Sequence, residues 1–314
     1  MTQLSNSGAR LIDPILTAVA QGFRQAEYVG KFLFPRVPVI ARGGKIVTFG
    51  KEDFMLYNTG RAPGQNTKRV QFGYSGSPFF LESHSLEGTA PIETIQEAQA
   101  VPGIDVARLA IYKTQGIIAT RLEVAQAATA RTAATYAAAN KTALTGTAQW
   151  SDATTGVSDP LAVVEAAKEA VRKKIGKRAN TGVIGAAGLA ALKLHPKVVD
   201  RMKYTGRDIA TTDILASLFG LENLYVGDAV QSDDNGVFSD VWGKDMILAY
   251  TATGTMLEMG APSYGYTYQL QNYPVVEEPY YDRNTKTWIF PVTDEVLPVI
   301  AGPDAGYLIQ NCVA

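Results

Sequence analysis

Gly73-Tyr74-Ser75-Gly76-Ser77 puts a serine among glycines, the setting a hydrolase uses to expose a nucleophile between a strand and a helix. Ser77 stands where the second glycine of that elbow is required, and no helical pattern follows, so the segment reads as strand. His84 and His195 are the two histidines, and neither has a carboxylate or cysteine at a ligand or general-base spacing. Asp233-Asp234-Asn235-Gly236 has part of a calcium-loop pattern, but Gln231 holds the first ligand position and Trp242 the twelfth; a hairpin turn is the better reading. Glu277 and Glu278 are adjacent and on a strand would face opposite ways, which rules out a paired acid and base. Cys312 is the single cysteine, and one thiol with two distant histidines builds neither a disulfide nor a zinc site. No phosphate-cradling loop or dinucleotide fingerprint is present, and Gly302-Pro303-Asp304-Ala305-Gly306 reads as a turn. No residue set is therefore read as catalytic, cofactor-binding or metal-binding. The densest basic run, Arg172-Lys173-Lys174-Ile175-Gly176-Lys177-Arg178, is the best candidate for facing nucleic acid. It also falls at a helix C-terminus, where cations are favoured anyway, so a solvated cap is the plainer reading.

These groups sit in a chain of 314 residues and 33.7 kDa with 46% hydrophobic and 19% charged residues, a globular composition with material for a large core. No apolar run approaches the ~18 residues of a membrane span, and the polar start lacks the order of a signal peptide. Folding in a reducing cytoplasm, away from membranes, is the simplest expectation. A net charge of -1 hides a segregation. Residues 1–82 carry 10 basic and 5 acidic residues, 83–160 carry 5 and 7, 161–210 carry 11 and 4, and 211–314 carry 3 and 14. Intrachain neutralisation, complementary faces between copies, or a nucleic-acid patch would each produce that pattern.

The elements follow from periodicity. Asp13-Pro14 opens a short N-terminal helix that is expected to end near Gly30, and Phe34-Pro35-Arg36-Val37-Pro38-Val39 reads as extended. Ile46, Val47 and Phe49 oppose Val70, Phe72 and Tyr74 in a long two-stranded ribbon whose tip, Asn58 to Asn66, is rich in turn residues. Such a ribbon is marginal alone and needs another surface. Asp105 to Tyr136 forms a long helix of roughly 45 Å with Val106, Leu109, Ile117 and Val124 as its stripe. Further helices open at Asp159-Pro160, at Ala187 and at Thr212, the last stopped by Gly220. Strands are expected at Leu224 to Val226, Asp245 to Thr251 and Thr255 to Met259, then in the aromatic stretches around Tyr264 to Tyr268, Trp288 to Phe290 and Gly306 to Ile309. The ribbon and arm predict a surface clearly above the roughly 13,000 Å² of a compact monomer of this mass.

This order of arm, ribbon, long helix, mixed block and returning sheet resembles the major capsid proteins of tailed bacteriophages, the Hong Kong 97-like capsid fold, an α+β architecture. Leu33-Phe34-Pro35-Arg36-Val37-Pro38-Val39, Arg61-Ala62-Pro63-Gly64, Gln149-Trp150-Ser151-Asp152 and Leu194-His195-Pro196-Lys197-Val198-Val199-Asp200-Arg201-Met202-Lys203-Tyr204 are similar to segments of one phage branch. The resemblance implies an N-terminal arm (1–42), an extended loop (43–85), a peripheral domain with the spine helix (86–158), an axial domain (159–254), a return sheet of the peripheral domain (255–294) and a last strand (295–314) belonging to either. It implies a shell subunit that assembles with itself as hexamers and pentamers around double-stranded DNA, in the host bacterial cytoplasm, with separate scaffolding, portal and decoration proteins, no cofactor and no membrane. An encapsulin-like compartment around a cargo enzyme is the alternative. The loop tip, with Phe54, Tyr57, Arg61, Pro63 and Gln65, would contact a neighbouring subunit. Arg172, Lys173, Lys174, Lys177 and Arg178 are the candidate DNA-facing cluster. Some relatives crosslink a loop lysine to a neighbour's asparagine; Lys51 or Lys68 with Asn272 or Asn311 are available for it, but no motif selects them, and ordinary polar contacts are preferred.

Overall fold

The computed structural model describes residues 28–45, 60, 66, 78–99, 105–152, 156–203, 211–252 and 263–314. The expected strands at Ile46 to Phe49, Val70 to Tyr74 and Thr255 to Met259, and the helix from Asp13, lie outside these residues. Within them the chain starts with one helical turn, α1 (Gly30–Leu33), then β1 (Arg36–Val39) and β2 (Gly43–Lys45). After the loop come β3 (Pro78–Phe80), β4 (Glu82–Pro91), α2 (Ile92–Gln99), the long α3 (Val106–Arg131) and β5 (Lys141–Ala143). The middle of the chain alternates α4 (Pro160–Ile175), β6 (Thr181–Gly185), α5 (Ala186–Leu194), α6 (Pro196–Lys203), α7 (Thr212–Phe219), β7 (Asn223–Gly227), the hairpin β8 (Val230–Ser232) and β9 (Phe238–Asp240), and β10 (Met246–Ala249). The remainder is β11 (Gly265–Leu270), β12 (Val275–Val276), β13 (Tyr280–Asp282), β14 (Thr287–Ile300) and β15 (Gly306–Gln310).

Two sheets result. In the first, the 14-residue β14 is the common strand: β4 pairs with it antiparallel from Pro91 opposite Thr287 to Glu82 opposite Val296, while β11 takes its far end and β1 adds parallel to β11. The second runs β5-β15-β10-β6-β7. The last part of the chain is divided between them, since β14 ends in the first sheet and β15 lies between β5 and β10 in the second. Caps explain the helix ends read from sequence. Asp159 accepts from the Ala162 N–H at the start of α4, Asp105 accepts from the Arg108 N–H at the start of α3, and Gly176 and Gly220 close α4 and α7 in left-handed backbone.

α3 lies along β4 and β14 for much of its length; of the expected stripe, Val106 and Val124 are partly buried against the core while Leu109 and Ile117 are not. Leu109 and Ile117 are exposed, and the buried positions are Ile111, Thr114, Gln115, Ile118, Leu122, Glu123, Gln126, Ala127 and Ala130. The inner face combines the apolar Ile111, Ile118 and Leu122 with polar groups, of which Thr114, Glu123 and Gln126 have partners. Gln126 Nε2 donates to Thr267 Oγ1 on β11 (2.9 Å), and Thr114 returns its hydroxyl to the Ala110 carbonyl (2.9 Å). Gly88 of β4 permits close approach, because a Cβ there would stand 2.7 Å from Thr114 Oγ1 and 3.0 Å from the Ala110 carbonyl oxygen.

Glu123 joins three parts of the chain. Its Oε1 accepts from the Val29 N–H (3.0 Å), the Gly30 N–H (3.0 Å) and the Trp242 indole Nε1 (2.7 Å). Gly30, where a stop was expected, instead begins α1, because the Glu123 carboxylate accepts its N–H. A Cβ at Gly30 would fall 2.1 Å from Gln126 Oε1. Behind that contact Leu33 and Phe34 are fully buried, each worth roughly 2 kcal/mol of transfer free energy. Phe34 sits against Tyr264, whose hydroxyl is hydrogen-bonded to that of Tyr136, and Phe32 stacks on Tyr225 of β7 at 3.7 Å. At the end of α3, Arg131 Nε donates to Asp245 Oδ2 (2.7 Å), which ties the helix to the second sheet as well.

Burial raises the Glu123 carboxyl above its ordinary value, against the hydrogen bonds that favour ionisation. The folded state therefore holds this proton more tightly than the unfolded chain does. Its contribution is greatest below the unfolded carboxylate range and declines as pH rises through the higher folded value. Glu123→Ala should cost about 3 kcal/mol, because two buried N–H groups and an indole N–H lose their acceptor. Glu123→Gln, which keeps one carbonyl acceptor, should cost less, and the wild type's margin over it should shrink from pH 4 to pH 7 in paired thermal melts.

Candidate assembly surface

Among the described residues, the chemically suggestive side chains are placed as follows. His84 lies 3.7 Å from Glu82 on the edge of β4. His195 is buried, its Nε2 3.2 Å from Ser158 Oγ and its Nδ1 accepting from the Lys197 N–H (3.3 Å); desolvation lowers its pKa, with Lys197 adding to the effect. It fastens the start of α6 to the loop before α4. Asp233 accepts from the backbone N–H groups of Asn235 (2.9 Å) and Val237 (2.8 Å), which makes Asp233 to Gly236 the expected turn between β8 and β9. Glu277 accepts from Thr293 Oγ1 (3.2 Å). Cys312 is buried and its thiol is pushed far up by desolvation. Among the described residues no group of three His, Cys, Asp or Glu could hold a metal, and no helix is long and apolar enough to cross a membrane. Ser75, Lys51 and Lys68 lie outside the described residues. Asn272 and Asn311 both occupy left-handed backbone (φ 70 and 54), and the Asn311 N–H donates to Asp245 Oδ1 (3.0 Å).

The basic run is brought together at the end of α4, where it meets carboxylates. Arg172 makes a two-pronged contact with Glu169 (2.7 and 2.6 Å), Arg178 reaches Glu165 (3.2 Å) and Lys174 lies 3.8 Å from Asp304. Lys177 donates to the Tyr250 hydroxyl (2.9 Å) and covers that ring at 4.8 Å. Phe54, Tyr57, Arg61, Pro63 and Gln65 lie outside the described residues, but the root of their loop is well defined. β2 pairs with β3, Phe79 turns inward to stack on Tyr268 at 4.6 Å, and Arg42 grips the buried Glu295 through two bonds of 2.6 and 2.9 Å. Phe80, its neighbour, turns outward with Ile40, and both are exposed.

Two more exposed apolar groups were not singled out by residue type. One is the aromatic set Tyr280, Tyr281 and Trp288 where β13 meets β14, with Tyr281 and Trp288 in contact at 5.5 Å. The other is the β8–β9 hairpin, where Val230, Val237 and Phe238 are exposed and every residue of both strands faces solvent. The available signal was Val237-Phe238 directly after a turn: on a strand the two must face opposite ways, so a free ribbon exposes both. Like Phe80 and Ile40 at the loop root, these side chains lie outside the buried clusters of the described residues. The chain exposes 18,378 Å², well above the compact-monomer value of roughly 13,000 Å².

Residues 129–308 match the family described as phage major capsid protein E. The major capsid protein of Burkholderia phage BcepMu is 38% identical over 309 residues, covering 97% of this chain and 98% of that protein. A phage-related protein from Bordetella bronchiseptica RB50, known from its crystal structure, superposes with a TM-score of 0.82 at 43% identity, covering 97% and 98% of the two chains. The SrpI encapsulin of Synechococcus elongatus PCC 7942 superposes with a TM-score of 0.55 at 12% identity over 91% and 88% of the chains, a likeness of fold alone. The architecture is the Hong Kong 97-like capsid fold. With more than half its length matched to a family of structural capsid proteins, and a full-length relative at 38% identity, this chain belongs to the phage major capsid protein E family.

Proposed function

We propose that this subunit assembles with itself, as hexamers and pentamers, into an icosahedral or prolate shell around packaged double-stranded DNA, without catalysing a reaction. The observation that carries this reading is the contrast between complete cores and exposed apolar projections: the loop root, the β13–β14 aromatics and the β8–β9 hairpin. A large surface of weak contacts repeated over many copies is what a closed assembly needs. In this proposal residues 1–42 are the arm, 43–85 the extended loop, 86–158 and 255–294 the peripheral domain and 159–254 the axial domain, with the last segment shared. The loop tip, through Phe54, Tyr57, Arg61, Pro63 and Gln65, clamps a neighbouring subunit. Scaffolding, portal and decoration functions belong to other proteins, DNA is enclosed without sequence specificity, and assembly takes place in the host bacterial cytoplasm. The encapsulin-like alternative has fold similarity on its side and nothing more specific.

Purified protein, expressed alone or together with a scaffolding protein of a related phage, should form shells tens of nanometres across in negative-stain micrographs. Small soluble species under both conditions would overturn the proposal. Shells that copurify with one cargo enzyme would favour the compartment reading instead.

Deleting residues 54–65 should leave circular dichroism and the melting temperature close to those of the unassembled parent, because Phe79, Tyr268, Arg42 and Glu295 anchor the root without the tip. Sedimentation should then show only monomers or capsomer-sized species. Shells from the deletion variant would remove the clamp assignment, and an unfolded variant would place the tip in its own subunit's core.

A further inference from the structure

β8 and β9 form a two-stranded ribbon with all its residues exposed, an arrangement that is marginal in water without a surface to lie on. Its base is firmly held, since the Val241 N–H donates to the Ala229 carbonyl (2.9 Å) and Val241 and Trp242 are buried. Beyond that base Phe238 is 71% exposed, Val237 62% and Val230 50%. The rim is acidic: Asp228, Asp234 and Asp240 are exposed and meet no cation among the described residues. Apolar side chains inside a ring of carboxylates call for a cationic surface with some apolar body.

The topology supplies such a surface on the opposite end of the same sheet. β6 and β7 run parallel, Thr181 beside Asn223 at one end and Gly185 beside Gly227 at the other. Residues 172–178 lead into β6 from the first end, and the hairpin leaves β7 at the second. Five residues of strand, about 17 Å, lie between them. The basic end has five cations, Arg172, Lys173, Lys174, Lys177 and Arg178, against the three carboxylates Glu165, Glu169 and Asp304. Lys173, whose charge acts on Glu169, makes no hydrogen bond or close ion pair among the described residues, and Lys177 rests on the uncharged Tyr250. The lysine stems and the Tyr250 ring provide apolar surface, and the cations suit the face of an aromatic ring such as Phe238.

We infer that the β8–β9 hairpin of one subunit docks on the basic end of α4 in the next. This rests on the shell assembly proposed above and deepens it. The two halves of the contact lie at opposite ends of one sheet, so the contact is head-to-tail and repeats around a ring. It also gives the basic cluster a protein partner rather than DNA.

The test is a charge swap read by shell yield. Asp234→Lys with Asp240→Lys, which spares the turn-forming Asp233, should lower the yield of shells at least tenfold while circular dichroism stays that of the parent. Adding Lys173→Glu and Lys177→Glu should restore most of it. An undiminished yield, or a loss that the second pair does not recover, overturns the docking. A second measurement is independent of charge: Asn235→Cys with Lys173→Cys should give a ladder of disulfide-linked chains on oxidation of DNA-free shells, the native Cys312 being buried. Shells without a ladder contradict the docking and leave shell assembly intact, whereas a parent that forms no shells removes the assembly proposal itself.

Discussion

A buried carboxylate holds the subunit together. Glu123 stands about two thirds of the way along α3, and the groups that donate to it come from the start of the described chain (Val29 and Gly30) and from the second sheet's side of the molecule (Trp242). A charged group costs free energy to bury and is retained where several donors converge on it. Here convergence fixes the depth at which residues 29–34 enter, and with it the positions of Phe32 on Tyr225 and Phe34 on Tyr264. The two sheets share few hydrogen bonds with each other; their relation runs through this segment, through Gln126 on Thr267 and through Arg131 on Asp245.

What the sequence made legible was what local chemistry determines. Asp159-Pro160 marked α4, Gly220 marked the end of α7, and the Asp233 to Gly236 turn was readable because capping and turn geometry act within a few residues. The buried stripe of α3 was not. Counting apolar residues selects Leu109 and Ile117, while the helix also buries Glu123 and Gln126, whose partners Val29, Trp242 and Thr267 are far away in sequence. A polar side chain reads as exposed until its partner is known. The exposed hairpin escaped for the converse reason, since Val230, Val237 and Phe238 read as core in any isolated chain, and their exposure becomes sensible only with a second subunit.

The same division explains how a stable subunit can also be an assembling one. Groups that complete their contacts within the chain, such as Phe79 on Tyr268 or Arg42 on Glu295, root the projections rigidly. Their neighbours Phe80 and Ile40 are exposed. Apolar area removed from water is worth about 25 cal/mol per Å², so modest patches give weak single contacts, and closure comes from their repetition.

Hydrogen–deuterium exchange, compared between free subunits and assembled shells, measures this division directly. The account requires backbone amides of 29–34, β6, β10 and β14 to be equally protected in both states, and those of 230–240 and of the loop between β2 and β3 to gain protection only in the shell. Equal protection of the hairpin and loop in free subunits would contradict it, because the projections would then be held by their own chain.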